Sequence, residues 1–112
     1  MDDLNEVRLR GRLTADPIDR ETQRGTPMAT FSVATTRRSV GANGAAQELT
    51  DFVPVVVWNA LARVAKDLHL GSPVEIVGRL QTRSYQGNDG TKRYRTEVVA
   101  TSLEPLTLRT PR

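Results

Sequence analysis

Hydrophobic and polar side chains alternate along residues 4–13 of this 112-residue chain, which is the pattern of a β-strand with one buried face. Val7, Leu9, Gly11 and Leu13 share one face, and the other face is unusually basic, with Arg8, Arg10 and Arg12. Pro17 interrupts the alternation within TADPID, which predicts a loop. A second alternation over residues 28–38, rich in β-branched and aromatic side chains, predicts the next strand.

A third strand is predicted over residues 50–58, where two kinds of large side chain alternate. Its core face is aliphatic and consists of Val53, Val55 and Val57. Phe52 and Trp58 share the opposite face, and packing under the helix, a subunit contact or a bound ligand would each explain two rings there. Before this strand, residues 39–49 combine small side chains with Asn43-Gly44, so we expect a mobile loop.

Apolar side chains recur at helical spacing after the third strand, which predicts one short helix. The recurring positions are Leu61, Val64, Ala65 and Leu68. Asn59 precedes them as the candidate N-cap, and Gly71 follows at the candidate end. Two further strands, over residues 73–85 and 92–103, flank the turn sequence GNDG.

Five strands with one helix between the third and the fourth fit a small Greek-key barrel of the OB type. The predicted fold is therefore all-β, a five-stranded OB-fold barrel with one short helix between strands 3 and 4. A five-stranded sandwich is the alternative, although it gives the helix no obvious role. We expect one domain over residues 1–105 and a short C-terminal extension without an acidic tail over residues 106–112.

The composition argues against several classes of function. The chain has no cysteine, and its one histidine, His69, has no second histidine or cysteine with which to share a metal. No nucleophile-elbow, zincin or phosphate-loop motif occurs. We therefore expect no enzyme activity, no metal and no cofactor. Apolar runs are too short to span a membrane and the N-terminus does not resemble a secretory signal, so we expect a cytoplasmic protein.

Positive charge is concentrated toward the C-terminus. The net charge is only +3, but residues 1–24 carry five arginines against six acids, whereas residues 79–112 carry seven basic residues against three acids. Arginine outnumbers lysine 14 to 2, which favours a polyanionic partner because a guanidinium both pairs with phosphate and stacks on rings.

The fourth strand alternates cationic, amide and aromatic side chains along one exposed face. This face consists of Arg79, Gln81, Arg83 and Tyr85. Such a surface suits a single strand of nucleic acid, because bases stack on rings while arginines follow the phosphates. A solvated hairpin whose charges protect its edges has the same pattern.

The chain resembles the bacterial single-stranded DNA-binding proteins from residue 4 to about residue 103. The order and spacing of four stretches carry the resemblance: LNEVRLRGRLTADPIDR, MATFSVATT, DFVPVVVWNALARVAKDLHLGSPVEIVGRLQTRSY and DGTKRYRTEVVA. It implies an OB-fold core that assembles, most often as a homotetramer, and binds single-stranded DNA without sequence preference. The implied role is protection of that DNA in replication, recombination and repair.

The resemblance also implies which residues contact DNA. The family's stacking aromatics fall on three rings that the alternation also places outside the core, Phe52, Trp58 and Tyr85. The candidates for phosphate contact are the basic residues near them, namely Arg37, Arg38, Arg79, Arg83, Lys92, Arg93 and Arg95. The first-strand arginines, Arg8, Arg10 and Arg12, either join this set or lie at a subunit interface, since the family's first strand contributes to dimerisation. Tyr94 shares a strand face with Val98 and is expected to be partly buried.

Two features depart from the family pattern. Many members carry a tryptophan just after the second strand, where this chain has Arg38-Ser39-Val40, so a planar guanidinium stands in for a ring. The chain also stops at Arg112 without the family's acidic tip, so we do not expect it to recruit replication proteins through a tail. Two alternatives are an OB-fold accessory similar to primosomal replication protein N, a dimer that acts largely through protein partners, and an oligomeric structural domain that binds no nucleic acid.

Overall fold

The computed structural model describes residues 1–107. These residues form six strands and one helix: β1 (Val7–Leu13), β2 (Ile18–Glu21), β3 (Pro27–Val40), β4 (Ala46–Trp58), α1 (Ala60–Ala65), β5 (Pro73–Gln86) and β6 (Lys92–Pro105). The expected C-terminal extension at 106–112 falls mostly outside the described residues. No helix in the described part of the chain has the length and apolar character needed to cross a membrane.

Five of the strands close into a barrel. The order along the sheet is β1-β5-β6-β4-β3-β2, and β1 also pairs with β3 at Leu13↔Val33, which joins the ends of a five-stranded ring. Within the ring, β4 and β6 run parallel and pair at Val55↔Val98. β2 lies outside the ring and pairs with β3. The prediction of an OB-fold barrel with a short helix between its third and fourth strands is confirmed.

The apolar faces of the strands meet inside the barrel. The large side chains that are almost fully buried there are Leu13, Val33, Val55, Val57, Val74, Ile76 and Val98. Each such side chain contributes about 1.5–3 kcal/mol to folding through removal from water. Two glycines let the strands approach closely, because a Cβ at Gly11 would overlap the carbonyl oxygen of Ala34, and one at Gly78 would overlap that of Val99.

Two segments that we predicted as loops contain strand residues. β2 occupies part of TADPID and the residues after it, and all four of its residues are exposed. The predicted mobile loop at 39–49 is also wrong, because the β3–β4 ladder continues to Val40↔Ala46 and leaves only a short turn. In that turn the backbone N–H of Ala45 donates to Oδ1 of Asn43 at 3.0 Å. Strands exposed on both faces need no apolar alternation, so periodicity does not reveal them.

The helix is shorter than its apolar spacing suggests, and Asn59 does not cap it. Asn59 has φ 55° and ψ −121° and makes no side-chain hydrogen bond to the helix. Its backbone N–H donates instead to the carbonyl oxygen of Pro27 at 2.9 Å, which extends the β3–β4 pairing beyond Met28↔Trp58. A positive φ strains a residue with a Cβ, so surrounding contacts hold the chain in place directly after Trp58.

Leu80 of β5 is exposed although the alternation of its strand would place it on the core side. It shares a strand parity with Val74 and Ile76, yet it is exposed whereas they are buried. The pairing of β1 with β5 ends at Val7↔Gly78, so Leu80 lies beyond the end of the barrel core.

Candidate nucleic-acid interface

Three exposed rings lie on one side of the sheet. Trp58, Phe52 and Tyr85 are 37%, 66% and 43% exposed, although large aromatic side chains usually contribute to cores. The strand alternation of β4 directs Phe52 and Trp58 away from the core valines Val55 and Val57, as predicted. We call this side the ring face: the even-numbered positions 28–38 of β3 and 52–58 of β4, and the odd-numbered positions 79–85 of β5 and 93–99 of β6.

The ring face is continuous across the barrel strands. β4 and β6 are neighbours at Val56↔Val99, and β6 pairs with β5 along its whole length, so the two hairpins share one surface. A cleft of about 490 Å³ lies where they meet. Its walls include two β4 side chains and four from the β5–β6 hairpin: Val56, Trp58, Gln81, Arg83, Arg95 and Glu97. The structure therefore brings the Trp58 ring to the same cleft as two of the predicted phosphate-binding arginines.

Acidic partners hold several of the arginines on this face. Nε of Arg83 donates to Oε1 of Glu97 at 2.7 Å, and Nε of Arg95 lies 3.8 Å from Oε2 of the same carboxylate. Arg38 lies 3.6 Å from Glu48 across the β3–β4 ladder, and Arg93 lies 3.4 Å from Asp89 in the hairpin turn. Hydrogen bonds from Thr91, and a weaker one from Arg93, lower the pKa of the Asp89 carboxyl. All four arginine side chains nevertheless stay about half exposed or more and are accessible to a polyanion.

Two predicted contact residues lie on the other side of their strands. Arg37 pairs with Asp51 at 3.3 Å, on the side opposite Arg38. Lys92 lies 5.6 Å from the centre of the Tyr94 ring, on the side of the β5–β6 hairpin opposite Tyr85. Tyr94 itself is 66% exposed, so the expectation that it is partly buried is wrong. It shares a parity with the buried Val98 but lies farther out along the hairpin.

The first-strand arginines form a separate surface that we call the β1 ladder, comprising Arg8, Arg10 and Arg12 with Glu75 of β5. Glu75 accepts hydrogen bonds from Nε of Arg8 at 2.7 Å and from Nη2 of Arg10 at 3.0 Å. These two bonds, that of Arg8 first, hold the pKa of the Glu75 carboxyl below its ordinary value. No large aromatic side chain belongs to this cluster.

The most informative residue that the sequence reasoning missed is Glu97. It is 4% exposed and is the one buried charged side chain among residues 1–107. The signal was present in RYRTEVVA, where Glu97 has the same strand parity as Arg93 and Arg95. Met28, Thr30 and Arg20 also line the cleft, because β2 and β3 form its far wall. His69 is exposed in the turn after α1, and residues 1–107 contain no cluster of three potential metal ligands.

Known proteins resemble this chain over most of its length. A profile of the single-strand binding protein family matches residues 4–106. The chain is 45% identical over 104 residues to single-stranded DNA-binding protein 3 of Listeria innocua, covering 92% of this chain and 64% of that protein. It is 42% identical over 104 residues to the single-stranded DNA-binding protein of Caldanaerobacter subterraneus subsp. tengcongensis, covering 92% and 68%. The described barrel thus corresponds to about two thirds of these relatives.

Solved structures show the same barrel. The protein in a Plasmodium falciparum SSB complex with ssDNA superposes with a TM-score of 0.87 at 27% identity, covering 96% of this chain and 98% of that one. A deletion mutant of the single-stranded DNA binding protein from Thermus aquaticus gives a TM-score of 0.84 at 28% identity, covering 95% and 52%. None of these four proteins supports the primosomal accessory alternative.

Proposed function

Because the chain belongs to the single-strand binding protein family, we propose that it binds single-stranded DNA by stacking bases on Trp58, Phe52 and Tyr85 while nearby arginines pair with phosphates. The observation that carries this proposal is the ring face itself, where three exposed rings share one surface with arginines. Each stacked base contributes about 1–3 kcal/mol, and stacking accepts any base because every base has a π-face.

The spacing of the rings supports several stacked bases and not one. Phe52 and Trp58 are six residues apart on β4, which corresponds to about 20 Å along a strand. Tyr85 lies on a different strand, two residues beyond Arg83. A ligand that uses all three rings must be extended and flexible, as single-stranded DNA is.

The basic residues form two groups according to the side of the strand on which they lie. Phosphate contacts are assigned to the ring-face residues Arg38, Arg79, Arg83, Arg93 and Arg95. Arg37 and Lys92 remain candidates only for DNA that passes around the edge of a hairpin, because they lie on the reverse side. Neutralising phosphates releases counterions, so affinity should fall steeply as salt rises.

We further propose the wider role that this binding suggests. The protein acts without enzymatic activity or a cofactor, as a cytoplasmic, nucleoid-associated protein that protects single-stranded DNA during replication, recombination and repair. It assembles as a homo-oligomer, most simply a tetramer, with residues 1–105 as its DNA-binding domain. Sedimentation would distinguish four chains per particle from two.

A fluorescence titration tests the proposal directly. Trp58 is the one tryptophan of the chain, so its emission reports on the ring face alone. We expect a dT oligonucleotide to quench it, with an affinity that falls as salt rises, and we expect a matched duplex to bind much more weakly. Absence of quenching, binding that does not depend on salt, or a preference for duplex would contradict the proposed function.

A further inference from the structure

Glu97 is out of place on a surface that binds a polyanion. It is 4% exposed, lies in the cleft beside Trp58, and its negative charge opposes any phosphate that approaches. Burial of a carboxylate is unfavourable unless partners compensate it, so a residue in this position needs a reason.

The register of the β5–β6 ladder supplies part of that reason. Arg83 and Arg95 are directly opposite each other, and Gln81 and Glu97 form the next pair on the same face. Two like charges placed opposite each other repel. The carboxylate one pair further along can attract both guanidiniums, and both approach it within 4 Å.

The orientation of each guanidinium depends on which of its nitrogens faces Glu97. In both pairs the nitrogen nearest to Glu97 is Nε, the inner nitrogen of the guanidinium. Both arginine side chains remain about half exposed, while the Glu97 side chain is almost fully covered. A guanidinium held at Nε keeps its terminal amino groups available, and these can bind a phosphate in a two-pronged geometry.

Resting on the proposed function, we propose that Glu97 is a positioning residue: its carboxylate holds Arg83 by a hydrogen bond at Nε and Arg95 by a looser ion pair, so that both guanidiniums present their terminal nitrogens to the phosphate of a nucleotide stacked at Trp58. Glu97 does not contact DNA. It acts through the two arginines, which would otherwise separate by repulsion and lose orientation.

The substitution Glu97→Gln tests this proposal. A purely electrostatic role and a positioning role of Glu97 predict opposite changes in DNA affinity. Removing the carboxylate raises the net charge from +3 to +4, which by attraction alone would tighten DNA binding. If Glu97 positions the arginines, we expect binding to weaken about tenfold, as for loss of a charge-assisted hydrogen bond. We also expect the slope of log affinity against log salt to become shallower by about one, because one phosphate contact is lost.

Glu48→Gln is the matched control. Glu48 also pairs with a ring-face arginine, Arg38 at 3.6 Å, but the pair is exposed. Its removal changes the net charge equally, so we expect unchanged or slightly tighter binding. If Glu97→Gln behaved like Glu48→Gln, with equal or tighter binding and an unchanged salt slope, the positioning role would be refuted.

One further variant, Arg83→Lys, keeps the test decisive even if Glu97→Gln folds poorly. Arg83→Lys preserves the charge but not the planar fork, so we expect it to weaken binding nearly as much as Arg83→Ala, and wild-type affinity would contradict the proposal. In the Arg83→Ala background, Glu97→Gln should cause a smaller additional loss than in the wild type, and a full additional loss would contradict it too. Failure of the wild type to bind a dT oligonucleotide would instead overturn the proposed function.

Discussion

Two clusters on this barrel each contain a glutamate that pairs with two arginines, but they differ in their surroundings. In the β1 ladder, Glu75 accepts hydrogen bonds from Arg8 and Arg10, both largely exposed. On the ring face, Glu97 is buried and its arginines border a cleft that Trp58 also lines. Arginine charge alone therefore does not identify the proposed binding surface, because both clusters have it and only the ring face combines it with rings and a cleft.

Removal of the ring beside the cleft should weaken DNA binding more than any other single change. Trp58→Ala should weaken binding of a dT oligonucleotide by about 1–3 kcal/mol, because a stacked base loses its platform. The side chain is more than one third exposed, so the fold should persist, which a thermal melt checks. Since this variant has no tryptophan, its affinity is measured by fluorescence anisotropy of labelled DNA. Unfolding of the variant would mean that Trp58 belongs to the core.

Matched arginine-to-alanine variants compare the two clusters directly. Arg83→Ala should weaken binding about tenfold and reduce the salt slope by about one, since it removes a positioned phosphate contact. Arg8→Ala removes the same charge from the β1 ladder and should leave both quantities nearly unchanged. The oligomeric state of both variants is measured by sedimentation, because the first strand is a candidate subunit interface. Equal losses of affinity at unchanged oligomeric state would mean that the β1 ladder also contacts DNA.

A smaller effect is expected from the tyrosines of the β5–β6 hairpin. Tyr85→Ala should cost about 1 kcal/mol of affinity for a short oligonucleotide, at the lower end for a stacked base. Tyr94→Ala removes an equally large ring, more exposed, from the opposite side of the same hairpin. We expect it to bind short oligonucleotides like the wild type. A loss of affinity as large as that of Tyr85→Ala would show that the DNA-binding site extends beyond the ring face.

Much of the barrel and its rings is predictable from the sequence because burial on one side only leaves an alternating pattern. The aliphatic core of β4 and the position of Phe52 and Trp58 on the opposite face follow from that pattern, whereas the exposure of the two rings does not. β2 and the outer part of the β3–β4 hairpin are exposed on both sides, and backbone pairing, which no side-chain pattern records, determines them. The exposure of Leu80 likewise depends on where β1 stops pairing with β5.

The candidate site was only partly accessible to sequence reasoning. Neighbouring residues on a strand point to opposite sides, so alternation already implies that Arg37 and Arg38 do not share a face. The role of Glu97 depends on which residues are opposite each other across β5 and β6, and on the cleft that β4 completes. Cross-strand register and the packing of one hairpin against another arise from the whole fold. The sequence of a single strand therefore does not predict them.

The smallest change is expected in the thermal stability of Glu75→Gln. This variant also tests whether Glu75, unlike Glu97, has a structural role only. The folded-state pKa of Glu75 is lowered by its bonds to Arg8 and Arg10, so the stabilisation is present above the ordinary carboxyl pKa and is lost as pH falls through the folded value. Glu75→Gln should therefore lower the melting temperature at neutral pH, and the difference from the wild type should shrink as the pH falls below the ordinary carboxyl pKa. A difference that stayed constant with pH would show that these ion pairs do not stabilise the barrel. At neutral pH the same variant should bind a dT oligonucleotide like the wild type, in contrast to Glu97→Gln, because its arginines serve the β1–β5 ladder and not the cleft.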